Sequence, residues 1–456
     1  METADTPTLI LHNLPPSALA GIDLLSFTTT PRFQGVKNLP PGFHFTYVGS
    51  STAFSERHGV WFEIPKNTSS TSTPLIITKW EGESETLVVE TDSTAILRWR
   101  ANLGSLWQKS LTPYRQSTTS AASADDTEEL VDWDKLTSHI TQPLLSRICA
   151  GEAHNWTLTS ASSAKRDIES IPGLTAQETS LQVGEELHFL PVDLRQTWRQ
   201  GATGRERTDA AQDRSWALRN VIEAHCGNGC GEEVVGELQF CFLMILTLNN
   251  FSCLEQWKRL LTLLFTCSSA VETHSALFVL ALGTLRLQLQ HCKVADNGLI
   301  ELADEGGSLL RSLLVRFRRG VERSQGLDIQ DVMDELDDLE AYLHEEHGWQ
   351  FGGSFAKSGV LELEDGETVR MDTTAFDEED ETGEYAPQIV DLTPEQARLL
   401  NVGGAEELHH GLKKTSLRDI ESEDEGGESE RGDDEEHRDD EEEYEEQDLD
   451  EMDSRY

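Results

Sequence analysis

Seven cysteines and fourteen histidines stand out, beside the many carboxylates, as residues that could ligate a metal or move a proton. One stretch concentrates them: His225-Cys226-Gly-Asn-Gly-Cys230 puts three zinc-competent donors within six residues. A closed zinc site needs a fourth ligand, and no second cysteine pair lies nearby. The stretch therefore reads as a glycine-rich loop between helices with incidental thiols. His12 and His44 fall in strand-like runs and read as hydrogen-bonded structural histidines, not general bases. Gly201-Ala-Thr-Gly204 lacks the Lys-Ser/Thr ending of a phosphate loop, and neither G-x-G-x-x-G after a strand nor G-x-S-x-G occurs. No catalytic, cofactor-binding or metal-binding residue is assigned, and the chain is expected not to be an enzyme. Ser422 precedes Glu-Asp-Glu, and Ser123 stands three residues before Asp126; both resemble acidophilic kinase sites. Arg316-Phe-Arg-Arg319 could meet a phosphate or an acidic partner, but arginines at a helix end are also what the macrodipole favours.

The chemistry left open is recognition, and charge decides what can be recognised. The formal charge is −46. Residues 420–456 contribute −18 of it and residues 361–384 contribute −10, so the rest of the chain is only mildly acidic. Phosphate backbones repel such a chain, so direct nucleic-acid binding over a broad surface is disfavoured and a basic protein surface is the better partner. The N-terminus has no basic region followed by an apolar run, and no stretch reaches the roughly 18 apolar residues of a membrane span. The odd number of cysteines, mostly in apolar segments, suits buried thiols in a reducing compartment. The sequons at Asn67, Asn155 and Asn250 are then chance matches.

Several elements must position whatever surface does the binding. Residues 8–150 read as a β-rich, sandwich-like domain with a closing helix. Its expected strands are Thr8–Leu11, Gly42–Val48, Val60–Ile64, Leu75–Trp80, Thr86–Val89 and Ile96–Trp99, punctuated by Pro/Gly turns. Phe43, Phe45 and Tyr47 alternate with His44 and Thr46, the period of a half-buried strand. Residues 115–127 form a Ser/Thr-rich insertion, and a helix from about 128 to 148 should be kinked or divided by Pro143. Residues 151–195 read as a linker, with a possible strand at Gly184–Leu190. Residues 196–352 read as an α-helical domain: Thr208–His225, Glu233–Leu248, Phe251–Cys267, Glu272–His291, Gly298–Arg318 and Asp328–His347. The second of these is apolar nearly all round and should be the central helix, ending at Asn249-Asn250. No fixed-period repeat is visible. Trp133, Trp216 and Trp257 read as core anchors, with Lys258 and Arg259 on the solvated side. Residues 353–456 read as a disordered acidic tail with one β-prone segment at 386–393. A strand without a local partner is a candidate for joining a sheet edge on another protein, which singles out Ala386, Pro387, Gln388, Ile389, Val390, Asp391 and Leu392.

Several blocks in the same order resemble one family. Leu9-Ile-Leu-His-Asn-Leu-Pro15, Gly21-Ile-Asp23, Phe33-Gln-Gly-Val-Lys37 and Leu39-Pro-Pro-Gly-Phe-His-Phe45 resemble the opening of the a-one cistron-splicing factor family, the Aar-two proteins. Gly236-Glu-Leu-Gln-Phe240 with Gln256-Trp-Lys-Arg-Leu-Leu261 resembles its helical signature, Trp349-Gln-Phe351 its closing aromatic motif, and Ala386–Leu392 its C-terminal strand. The resemblance implies a β-rich domain, a linker and a VHS-like helical domain. It also implies a pre-mRNA splicing factor that assembles the U5 small nuclear ribonucleoprotein (snRNP) of the spliceosome. Such a factor binds the large U5 scaffold protein on its RNase H-like and endonuclease-like domains and holds the precursor, blocking premature binding of the U5 helicase and RNA. Release involves phosphorylation, no cofactor is used, and the chain is expected to be a monomer of cytoplasm and nucleus. The different-class alternative is an acidic chaperone for basic nuclear proteins that acts through its tail. The acidic extension, the 115–127 insertion and the His225–Cys230 loop have no counterpart in the resemblance.

Overall fold

A computed structural model describes residues 6–51, 55–66, 73–115, 133–151, 155–169, 171, 173, 186–294, 308–324, 329–349, 351, 359–362 and 368–371. The N-terminal part builds two five-stranded sheets from β1 (Thr8–His12), β2 (Leu19–Ile22), β3 (Leu25–Thr28), β4 (Gly35–Lys37), β5 (Gly42–Gly49), β6 (Arg57–Ile64), β7 (Leu75–Glu81), β8 (Thr86–Val89), β9 (Leu111–Pro113) and β10 (Trp156–Thr159). One sheet has the order β8-β7-β1-β4-β9, the other β10-β6-β5-β2-β3. The first is mixed, because β1 runs parallel to β7 and β4 parallel to β9. Leu9, Leu11, Val60, Phe62 and Trp80 fill the space between the sheets.

Strand alternation then assigns the outer faces. Ile10 and Ile77 point away from the sandwich onto α1 (Ser93–Leu106), meeting Leu103 and Trp107. The apolar run Ile96–Trp99 was expected as a strand but lies in this helix. Asp92 caps it by accepting from the amides of Thr94 and Ala95, and Ile96, Trp99, Leu103 and Leu106 recur at helical spacing to cover the sheet. On the other sheet Phe45, Tyr47 and Trp61 face outward into the core of the helical region. Strand β5 is therefore buried on both faces, not on one: Thr46 and Val48 are as inaccessible as Phe45. The alternation marks the two faces of β5 correctly but does not show that helices cover the second.

Between β9 and β10 lie α2 (Trp133–Leu136) and α3 (Gln142–Cys149). Pro143 divides the expected helix, since Thr141 caps α3 with the proline in its first turn. The linker carries α4 (Lys165–Glu169), and among the described residues of the expected 184–190 strand there is a single bridge, Glu186 with Ser163. The helical region runs α5 (Gly204–Gln212), α6 (Ser215–His225), α7 (Glu232–Leu248), α8 (Phe251–Phe265), α9 (Ala270–Thr273), α10 (Ser275–Val294), α11 (Ser308–Arg323) and α12 (Ile329–His347). Two expected helices are each split, the first at Asp213 and Arg214 and the second at His274. Helix α7 is the central one, buried from Val234 to Ile245, and Asn249 ends it in the left-handed conformation at φ 55°. Asn250 then accepts from the Cys253 amide to start α8 and donates to the carbonyls of Thr159 and Ser162 beside β10.

The chain divides into two units, Met1–Gly353 and Ser354–Tyr456. In the second the structure describes one antiparallel hairpin, β11 (Gly359–Glu362) with β12 (Thr368–Met371). This hairpin lies in the stretch expected to carry structure only at 386–393. The acids around it hide a short Val/Leu alternation.

Candidate partner-binding site

Several charged groups lie inside the fold. Asp23, in a turn at φ 54°, accepts from the Phe45 amide (2.9 Å), from His44 Nδ1 (2.8 Å) and from the Tyr114 hydroxyl (2.6 Å). His44 Nε2 donates to the Pro40 carbonyl at 2.9 Å. Both ring nitrogens are thus spent as donors, and no lone pair remains to take a proton from a substrate. Burial pulls the imidazole down, but Asp23 and the Pro40 carbonyl outweigh it and hold His44 above its ordinary value of 6.5. A raised value stabilises the fold fully below pH 6.5, and that contribution is lost as pH rises through the folded value. Urea midpoints compared below and well above pH 6.5 should show a loss in the native chain that is absent from His44→Gln. His12 differs: its ring lies tilted against Trp99 at 5.0 Å, its Nε2 is unpartnered, and burial outweighs a side-chain hydrogen bond with Asn13 to lower it.

All seven cysteines are free. In the His225–Cys230 loop, Cys226 is buried with its thiol pushed up to about 12, and Glu233 accepts from the Gly227 amide. Among the described residues, no group of three or more His, Cys, Asp or Glu is placed to hold a metal ion.

The densest polar network instead fastens the linker between sheet and helices. Glu237, fully buried in α7, accepts from the Leu190 amide (3.1 Å), Gln256 Nε2 (2.6 Å) and Arg147 (2.8 Å). Arg147 also bonds Glu233 and the His188 carbonyl, and Gln256 donates to the Leu190 carbonyl at 3.1 Å. Burial raises the Glu237 carboxyl against the pull of these donors, while Glu237 and Glu233 keep Arg147 charged despite its own burial. A second clasp joins α4 to α8. Asp167 accepts from Ser252 (2.7 Å) and from Arg259 (2.5 Å), and Arg166 reaches Gln256 and the Val192 carbonyl. Arg259 is therefore inside this clasp, not on a solvated side. Trp257 is buried as expected, donating to Gln288, and Trp133 donates to the Phe43 carbonyl. Trp216 is the opposite: it is 39% exposed, on the outer face of α6.

Gln239 completes the fastening by accepting from the His139 amide and donating to Ser138. Gly236 lets α7 approach: a Cβ there would sit 2.3 Å from the His139 carbonyl oxygen. Phe240 stacks on Trp61 of β6 at 6.0 Å. Gly236, Glu237, Gln239 and Phe240 thus each meet the sheet, the linker or the α2–α3 segment, while the Leu238 carbonyl accepts from Gln288 of α10. Glu237, Gln239 and Gln256 have a signal in sequence, since polar residues inside an otherwise apolar helical core must be paired.

What the fastened unit presents outward is sheet edge. A cleft of about 430 Å³ opens between the edge strands β3 and β9, lined by Leu25, Phe27, Phe33, Val36 and Pro113. Another of about 450 Å³ opens between the other two edges, β8 and β10, lined by Val88, Thr157, Leu158 and His188. Unpaired strand edges suit extended segments of another protein. The predicted partner-binding residues Ala386, Pro387, Gln388, Ile389, Val390, Asp391 and Leu392 lie outside the described residues, as do Ser123 and Ser422.

Two family models match this chain: the AAR2 N-terminal domain over residues 5–150 and the AAR2 C-terminal repeat region over residues 189–352. The chain belongs to the AAR2 family. Among its relatives, the mouse protein AAR2 homolog is 28% identical over 335 residues, covering 68% of this chain and 82% of that protein. The human AAR2 homolog is 26% identical over 393 residues, covering 80% and 95%, and that of Caenorhabditis elegans is 22% identical over 360 residues, covering 75% and 94%. The second AAR2 match takes in Leu190, Glu237 and Gln256, and the first takes in Arg147. The clasp between them therefore joins the two AAR2 regions. Among the described residues of this AAR2 chain's repeat region, the α-helices range from 4 to 20 residues.

Proposed function

We propose that this chain is a non-catalytic assembly factor of pre-mRNA splicing. It binds the large scaffold protein of the U5 snRNP on its RNase H-like and endonuclease-like domains. It holds the precursor particle and keeps the U5 helicase and RNA away until release. The observation that carries this reading is membership of the AAR2 family across both regions of the chain. The edge-strand clefts and the rigid clasp between the regions support a role in recognising another protein. In this proposal the segment Ala386–Leu392 adds a strand to the scaffold, Ser422 and Ser123 are phosphorylation sites, and the monomer moves between cytoplasm and nucleus. Among the described residues, no helix is long and apolar enough to cross a membrane.

Capture of bound proteins from nuclear extract on the full chain should return the U5 scaffold protein. Replacing Ile389 and Val390 with proline, which cannot donate to a ladder, should weaken that capture about tenfold or more. Unchanged affinity would sink the strand-addition step. The alternative, an acidic chaperone working through its tail, is favoured by the −18 charge of residues 420–456. Deleting residues 400–456 separates the two: loss of scaffold binding supports the tail, and retention supports the folded regions and the 386–393 segment.

A further inference from the structure

The turn between α5 and α6 gathers two arginines that no carboxylate among the described residues pairs with. Arg214 donates through Nη1 to the Thr266 hydroxyl at 2.9 Å, and its Nε is buried without a hydrogen-bond partner. Arg316 reaches across from α11 to donate to the Gln212 carbonyl at 2.6 Å, which places a second guanidinium on the same turn. Burial and the neighbouring Arg316 charge together lower Arg214. The acid between them is turned elsewhere. Asp213 accepts from the Ser215 amide and hydroxyl and from the amides of Ser268 and Ser269. Among the described residues, neither Arg214 nor Arg316 has a carboxylate partner. Two residues on, Trp216 is an exposed indole, and Arg219 follows it at i+3 on the same outer face of α6.

Two guanidiniums with no carboxylate partner among the described residues, on the turn that leads into the helix carrying an exposed tryptophan, make a recognition site of definite chemistry. A single carboxylate would neutralise one of them. A phosphoryl group carries about −1.5 to −2 charges and three acceptor oxygens, so it matches both. An extended RNA backbone fits less well, because the formal charge of −46 repels a polyanion that cannot be confined to one turn. We propose that Arg214, Arg316 and Trp216 form a docking site for a phosphoserine- or phosphothreonine-bearing segment of a partner protein. The phosphoryl oxygens accept from the two guanidiniums, and an apolar neighbour in the segment covers the indole. This site is independent of the scaffold-binding reading above.

The test uses the full-length chain and a degenerate phosphoserine peptide library, with the same library unphosphorylated and a single-stranded RNA of mixed sequence as the other arms. The phosphorylated library should be retained about tenfold better than its unphosphorylated twin. Arg316→Glu should abolish that preference, Arg316→Gln should weaken it, and Trp216→Ala should weaken binding of retained peptides several-fold. Arg311→Glu, an equal change of net charge on the same helix, should leave the preference intact. Arg316 is exposed, so its variants should keep the native melting temperature. Equal retention of both libraries, an Arg316→Glu variant that still prefers phosphopeptide, or tighter binding of the RNA would each overturn the proposal.

Discussion

Replacing Glu237 with alanine should cost the chain about 3–5 kcal/mol, because it breaks a buried ion pair by removing one partner only. The variant leaves the Arg147 guanidinium without its most buried partner, and it strips the Leu190 amide and Gln256 of their acceptor. Each orphaned donor adds its own desolvation cost. Glu237→Gln keeps the volume and one acceptor, so its loss should be smaller. Urea unfolding followed by circular dichroism reads both. If Glu237→Ala unfolds at the native midpoint, the clasp contributes nothing and the linker is held by its apolar contacts. The replacement should also free the segment around Leu190, so limited proteolysis should cut there first.

Trp61→Ala should be of similar size, about 3–5 kcal/mol, since it empties the site of a fully buried indole. Trp61 lies within ring-contact distance of Phe45 in its own sheet, Trp133 in α2 and Phe240 in α7, at 5.1, 5.8 and 6.0 Å. It is therefore the side chain shared by all three parts of the unit. The same change in Phe240 should not add to it: residues in contact couple, and the double variant should cost less than the sum of the singles by about 0.5–3 kcal/mol. Strict additivity in the double-variant cycle would show that the sheet and helical cores are energetically separate.

The elements legible in sequence are those whose side chains carry a long enough period. Helix α7 and strands β5 and β7 are recognisable because apolar residues recur over seven or more positions. Strands β2, β3, β4 and β9 are three or four residues long. A window that short shows no period, and pairing with distant strands decides it. Ile96–Trp99 shows the reverse error: four apolar and aromatic residues look like a strand until the Asp92 cap is weighed. Trp216 misleads through composition, since an amphipathic helix does not say which aromatic faces in. The clasp was half legible. The blocks around Glu237 and Gln256 stand out as a family signature, but their partners Arg147 and Leu190 lie 90 and 47 residues before Glu237, and only the fold brings them together.

The placement of the Trp61 face has a consequence for how this chain is made. Strand β6 is synthesised early, yet the surface that covers it arrives with Phe240, and Arg57 waits for the Thr247 carbonyl 190 residues later. At roughly 5–20 residues per second, the outer face of that sheet stays open for about ten to forty seconds after the strand leaves the ribosome. Phe45, Tyr47, Trp61 and Trp156 are on it. A nascent chain stalled between β10 and α7 therefore shows one continuous aromatic surface, and holdase chaperones should bind it there and let go once α7 has emerged.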